Sequence, residues 1–382
     1  MIEILHKEDC CGCEACKQCC PHRCISMKKD EEGFLYPITD KTKCVECGLC
    51  ERVCPVLNPY DEHLPISISA FTHSDESIRM NSSSGGFFTK IATAIIEQGG
   101  VVFGACFDEE WRVVHTYIDK KEKLPLLQGS KYVQSSIGDS YISAKRFLQD
   151  GVPVLFTGTS CQIAGLKRFL RKDYDLLYTM DVICHGVPSP LVWKDYLHSI
   201  SSVSDIESIS FRNKSTGWKN YSFSLKKKDH TLFVESHAKN LYMKGFLNDF
   251  FLRPSCYNCH FKKGTSGSDF IIGDFWGVDK IFPVMDDDKG ASVVLIYSKK
   301  GEGLYKQCGL IEQKIRYSDI LKYNRCLEKC VAKEWYSNLF WSEYSKHGII
   351  AMKKVLDIKY NISKLKRLYY KITTNISSII NK

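Results

Sequence analysis

Beyond residue 65, short apolar runs alternate with stretches whose apolar positions recur at helical spacing. Residues 66–72 read as a strand. Residues 86–98 read as a helix, with Phe87, Ile91, Ala94 and Ile95 on one face and Gly99-Gly100 to stop it. Strands follow at 101–107 and 113–117, a helix at 140–149, a strand at 152–157, a helix at 162–170 and a strand at 176–183. This alternation predicts an α/β body with a largely parallel sheet, since parallel neighbours need crossover connections. From 209 to 234 the pattern turns to β hairpins, with the charged stretch 226–230 as a turn. Residues 268–277 read as one more strand, ending in a glycine-flanked acid and indole, Asp274 and Trp276.

Over residues 349–380 the helical period returns. Ile362, Leu365, Leu368, Tyr369, Ile372, Ile376 and Ile379 are apolar, with Lys364, Lys366, Arg367 and Lys371 between them. A basic amphipathic tail of this kind, placed at 341–382, packs on the body or lies on an anionic membrane surface. Ahead of the body, Pro55, Pro59 and Pro65 with Asn58 read as a linker. The chain therefore divides into a head at 1–58, a body at 66–340 and the tail.

The composition, 44% hydrophobic and 25% charged over 382 residues, is that of a globular protein and excludes disorder, collagen and coiled coil. No run reaches the roughly eighteen apolar residues of a membrane span. The start of the chain shows no apolar export segment, so the expected location is cytoplasmic, with membrane association left to the tail. The net charge of +9 is concentrated at the end: residues 346–382 hold nine Lys/Arg against Asp357, and the remainder holds 44 basic and 43 acidic residues. A nucleic-acid partner is not expected, because no basic face or reader motif accompanies that charge.

Nineteen cysteines change the picture, and eleven of them precede Pro55. In a reducing compartment, clustered thiols bind metal or do redox chemistry. Cys10, Cys13, Cys16 and Cys20, followed by Pro21, have the spacing C-x2-C-x2-C-x3-C-P. Cys44, Cys47, Cys50 and Cys54, followed by Pro55, repeat it. Paired CxxC also builds zinc sites, but zinc does not require the third and fourth cysteines and the proline twice. Two such runs resemble the bacterial two-cluster ferredoxin, in which three cysteines of a run hold one cluster and the fourth holds the other. The resemblance assigns Cys10, Cys13, Cys16 and Cys54 to one 4Fe–4S cluster, and Cys44, Cys47, Cys50 and Cys20 to the second. Cys11, Cys19 and Cys24 are left over; Cys11 or Cys19 offers an alternative register.

Four features of the body carry chemistry. Asn81-Ser82-Ser83-Ser84-Gly85-Gly86 opens a helix with small and hydroxylic residues, as a phosphate cradle or as a plain capped loop. Cys161 follows a strand at the start of a helix, and Cys184-His185-Gly186 follows another strand. Cys256 and Cys259 form a CxxC beside Arg253 and Tyr257. These four thiols are a third cluster, a zinc site or unrelated buried cysteines. Asp274 suits acceptance from a ribose or ring N–H and Trp276 suits stacking, unless both are a turn acid and a core aromatic.

The series of motifs resembles the family of coenzyme F420 hydrogenase/dehydrogenase beta subunits over roughly residues 1–330. They are the ferredoxin head, NSSSGGFFTKIA, SKYVQS, FTGTSCQIAGLKRFL, DVICHGVPSP, RPSCYNC and SDFIIGDFWG. The resemblance implies FAD in the body and a third 4Fe–4S cluster on Cys161, Cys184, Cys256 and Cys259. It places Ser82 to Gly86 near the FAD phosphates and Lys131 near the flavin. It implies hydride exchange at the flavin, one-electron steps through the clusters, a small-molecule hydride donor or acceptor, and a redox partner protein such as a ferredoxin or another reductase. A non-catalytic electron-transfer protein that feeds a partner enzyme is the competing expectation.

Overall fold

The computed structural model describes residues 1–310 and 315–380, with side chains as far as Leu365. In the head, β1 (Ile25–Lys29) and β2 (Leu35–Thr39) pair antiparallel around the turn expected there. The short helices Ala15–Cys19 and Leu49–Arg52 flank this hairpin and carry the two cysteine runs.

A seven-stranded sheet forms the body. Its strands are β3 (Ser67–Phe71), β4 (Val101–Phe107), β5 (Val113–Ile118), β6 (Val154–Thr159), β7 (Leu177–Val182), β11 (Phe270–Asp274) and β12 (Ser292–Ile296). They lie in the order β3-β12-β11-β7-β6-β4-β5. Only β11, β7, β6 and β4 run parallel; the two edges pair antiparallel. The sheet is therefore mixed: its centre is parallel as expected, and its edges add antiparallel pairs that the sequence did not reveal. The physical reason is connection length. β4 turns straight into β5, and only the single-turn helix Val278–Ile281 and a 3-10 turn separate β11 from β12, so neither pair has a crossover helix. β12 was not read from the sequence, although all five of its residues are buried.

Helix Phe87–Glu97 covers one face of the sheet through Phe87, Ile91, Ala92 and Ile95. Helices Ser140–Gln149 and Ser160–Leu170 cover the other, and Ala15 and Val53 of the head join that same apolar layer. A third unit holds β8 (Ile206–Asn213), β9 (Ser222–Lys227) and β10 (Leu232–Ser236) as an antiparallel sheet. Its aromatic core centres on Trp193, Phe211, Phe223 and Tyr242. Helix Trp335–His347 and the first turns of helix Ile350–Ile380 pack on that core through Phe340, Met352 and Val355. The near end of the tail thus lies on the protein's own body, whereas the apolar stripe from Leu368 onward lies outside the described side chains.

The head is seated on the body by close backbone approaches. A Cβ on Gly165 would lie 2.8 Å from the Cβ of Cys13, and one on Gly12 (φ +72°) would lie 2.7 Å from the Arg253 guanidinium. Buried Glu14 fixes the joint by accepting from the Ser136 hydroxyl at 2.9 Å and the Ile137 amide at 2.8 Å. Gln18 accepts from the Tyr141 amide at 3.0 Å.

Candidate functional site

In the head, Cys16 has Cys10 and Cys54 as neighbours and Cys13 has Cys16 and Cys54, although among the described residues no three His, Cys, Asp or Glu close into a metal-sized group. Burial, followed by this crowding, pushes the Cys16 thiol far up. Thiols massed away from water hold their protons unless a cation displaces them, which suits a metal centre. The second group surrounds a cavity of about 20 Å³ lined by Cys20, Cys24, Cys44, Cys47 and Cys50. The Ile2 amide donates to the Cys50 sulfur at 3.2 Å. Cys24, left over in the sequence, stands with its sulfur 3.2 Å from that of Cys20 and also faces Cys44. Cys19 faces Cys50, Cys20 and Cys47. Three thiols therefore crowd the fourth-ligand position, and Cys47 is exposed to solvent.

The four body cysteines also converge. Cys184 has Cys256, Cys161 and Cys259 as neighbours, although they come from three separate segments. Cys161 sits in the first turn of helix Ser160–Leu170, fixed by the reciprocal Thr159–Gln162 cap, with its sulfur 3.2 Å from the Thr159 hydroxyl. Cys184 follows β7, and Cys256 closes the 3-10 turn Pro254–Cys256. Backbone amides point at two of the sulfurs: Val187 donates to Cys256 at 3.4 Å and Phe261 to Cys259 at 3.5 Å. Such donors stabilise thiolate held on a metal. Cys161 also touches Cys11, so the sequence's spare thiol lies between the head group and the body group.

A cavity of about 510 Å³ opens over the carboxyl ends of β4, β6, β7 and β11, the edge where α/β sheets bind ligands. Ser82, Ser83, Ser84, Gly86, Lys131, Asp274, Trp276 and Cys184 all line it. Two residues of the expected loop do not. Asn81 ends helix Glu76–Asn81 in solvent. Gly85 is buried with its amide donating to Ser292 and its carbonyl accepting from His73, because a Cβ there would strike the Phe71 carbonyl. Both therefore stand behind the wall of the cavity as loop positions. The hydroxyls are also committed: Ser82 donates to the Ile78 carbonyl at 2.8 Å and Ser84 to the Ala291 carbonyl at 2.6 Å, while Ser83 accepts from the Ser130 amide.

The cation at this site was missed in the sequence. Arg212, buried on β8, donates to Asp274 at 3.1 Å and to the Ser83 carbonyl at 3.2 Å. Its guanidinium lies 3.9 Å over the Tyr221 ring, and its Nε has no partner. Asp274 is thereby occupied, since it also accepts from the Trp218 indole at 3.0 Å. Trp276 stacks on Trp218 with centroids 4.9 Å apart, which leaves one ring face for anything else. Lys131 donates to the carbonyls of Gln128 and Gly129, and burial pushes its pKa down to about 8. His115 donates from Nε2 to the Thr157 carbonyl at 3.0 Å; burial holds it neutral with a pKa of about 4, so Nδ1 is a bare acceptor at the cavity wall. At the other end, His185 pairs with Asp249 at 2.5 Å and lies 3.9 Å from the Cys326 sulfur. No sequence spacing announces the pairings of Arg212, His115 and His185, because their partners lie tens of residues away.

Behind the cavity floor, Asp181 is wholly buried, with the hydroxyls of Ser160, Ser266 and Ser268 and the Lys262 ammonium as its polar surroundings. Burial pushes its pKa from 3.8 up to about 7. The fold then holds a proton that the unfolded chain releases, so stability falls as pH rises from 3.8 towards 7 and stays low above it. Asp181→Asn is expected to gain on the order of 3 kcal/mol at pH 8 and almost nothing at pH 4, read as urea midpoints. Equal effects at both pH values would refute the buried charge.

Residues 152–320 match the family model for the C terminus of the coenzyme F420 hydrogenase/dehydrogenase beta subunit, and residues 37–57 match a 4Fe-4S binding domain. Over residues 152–320 the chain is thus similar to the coenzyme F420 hydrogenase/dehydrogenase beta-subunit family. The beta-subunit match takes in Cys161, Cys184, Arg212, Cys256, Cys259 and Asp274; the 4Fe-4S match takes in Cys44, Cys47, Cys50 and Cys54. The F subunit of the F(420)H(2) dehydrogenase of Methanosarcina mazei is 22% identical over 191 residues, covering 45% of this chain and 51% of that protein. The coenzyme F420-dependent sulfite reductase of Methanocaldococcus jannaschii is 21% identical over 361 residues, 89% and 53% of the respective chains. The chain spans about half the length of these two curated relatives. A solved structure of the F420-reducing NiFe hydrogenase complex from Methanosarcina barkeri aligns with a TM-score of 0.47 at 15% identity, over 69% of this chain and 91% of that one. No described helix is long and apolar enough to cross a membrane.

Proposed function

We propose that this chain, similar to the beta-subunit family, is an FAD- and iron–sulfur-dependent oxidoreductase. It moves electrons between a small-molecule hydride donor or acceptor at the body cavity and a redox partner protein at the head. One observation carries the reading: Cys184 belongs both to the cavity wall and to the body thiol group, whose Cys161 touches Cys11 at the head group. A path of metal-binding thiols thus leads from the cavity to exposed Cys47. The printed names of the relatives make coenzyme F420 the proposed small molecule. Cytoplasmic residence, with the tail's far half against a membrane surface or a partner, completes the proposal.

The cavity residues fit a flavin. Arg212 Nε is an unpaired donor, His115 Nδ1 an unpaired acceptor, and Trp276 offers the aromatic face that Trp218 leaves open. FAD, when bound, exchanges hydride for single electrons. Arg212 and Lys131 favour negative charge there, His115 accepts a ring N–H, and Asp274 orients Arg212. Anaerobic purification with iron, sulfide and flavin counted per chain tests the proposal. About twelve iron atoms, at four per cubane, and one FAD are expected. Clusters without flavin would turn the reading to a non-catalytic electron-transfer protein, and zinc without sulfide would overturn it.

A further inference from the structure

The head–body joint encloses a guanidinium without a carboxylate. Arg253 is fully buried. Its Nε donates to the Cys10 carbonyl at 2.7 Å, and Nη1 donates to the Gln134 side-chain oxygen at 2.9 Å. Nη2 donates to the Leu35 carbonyl at 2.9 Å and lies 3.6 Å from the Cys10 sulfur. The Tyr36 ring covers one face at 4.3 Å. Among the described residues every acceptor it bonds is neutral or a thiol, and the titratable groups that face it are Cys10, Cys11, Cys256 and the Tyr36 phenol. An arginine cannot shed its proton, and burying it without a counter-ion is costly. Thiolates holding a cluster at Cys10 would supply that negative charge.

We propose that Arg253 sets the potential of the cluster on Cys10, Cys13, Cys16 and Cys54, holding it above the value its ligands alone would give. A fixed positive charge in a dry joint stabilises the more negative, reduced cluster. The guanidinium comes from the body, between Pro188 and Cys256, yet reaches the head's first ligand. The potential of the head cluster therefore depends on a correctly seated head. Arg253 acts here as a positioning and tuning residue that does not itself carry electrons. The inference rests on the proposed cluster ligation.

The test is an EPR-monitored redox titration of the full, anaerobically purified chain, with iron and sulfide counted on each sample. Two variants remove the charge by different routes. Arg253→Gln deletes it, and Gln134→Glu neutralises it with a carboxylate of nearly the same shape. Both are expected to lower that cluster's midpoint so that the reduced-to-oxidised ratio at fixed potential falls at least tenfold, a shift of about 59 mV for one electron. Arg253→Lys, which keeps the charge, is expected to stay nearer the parent. If Arg253→Gln fails to assemble, Gln134→Glu decides. Normal iron with unmoved midpoints overturns the tuning role, whereas absence of cubane iron in the unaltered chain overturns the ligation beneath it.

Discussion

Replacing Cys184 by alanine is expected to leave about eight iron atoms per chain in place of about twelve, and to isolate the cavity from the head. The expectation follows from convergence. Cys161, Cys256 and Cys259 all approach Cys184 from other segments, so its loss removes one corner of a four-thiol site. The three remaining thiols are buried and crowded, and without metal they would hold their protons. Electron passage is then broken at the thiol group that touches both the cavity and Cys11. Reduced coenzyme F420 should fail to bleach the head's visible absorbance. Cys106→Ala is the control, since Cys106 lies in the sheet core away from every thiol group and should leave iron unchanged. An undiminished iron count in the Cys184 variant would remove the body cluster from the proposal.

Flavin retention should fall at least tenfold in Arg212→Met. The side chain is only 3% exposed and its charge is balanced by one carboxylate, Asp274. A charge-assisted hydrogen bond from its free Nε to a ligand is worth roughly 1.5–3 kcal/mol, which converts to about tenfold to a hundredfold in affinity. The substitution also strands Asp274 on the Trp218 indole, so the double change Arg212→Met with Asp274→Asn is needed to separate lost binding from a lost counter-ion. The measurement is FAD released on acid denaturation, backed by a titration of flavin fluorescence. Iron content serves as the folding check, because Arg212 touches no cysteine. Parent-like flavin content in either variant would move the binding site elsewhere.

The head was legible because its chemistry is written in spacing. Two runs with the same intervals and a terminal proline specify a metal cradle without any tertiary information. The central strands were legible too, since Val101–Phe107 and the helix Ser140–Gln149 follow the two periods closely. The antiparallel edges were not. β12 has neither alternation nor a flanking turn that reveals its direction, and pairing direction is decided by the length of the connection in three dimensions. Arg212 was illegible for another reason: it stands near the end of the mixed polar and apolar strand Ile206–Asn213, and Asp274, which explains it, is 62 positions on. Asn81 and Gly85 show that a small-residue loop marks the cavity wall without telling which of its members face the cavity.

The seating of Cys13 against Gly165, and of Gly12 against Arg253, leaves no slack for the amino-terminal unit to rock. Tunnelling gaps between the proposed metals of the two units would thereby be frozen into the architecture. Throughput across that boundary would then be indifferent to solvent viscosity, unlike the cadence of an enzyme that ferries charge on a swinging carrier.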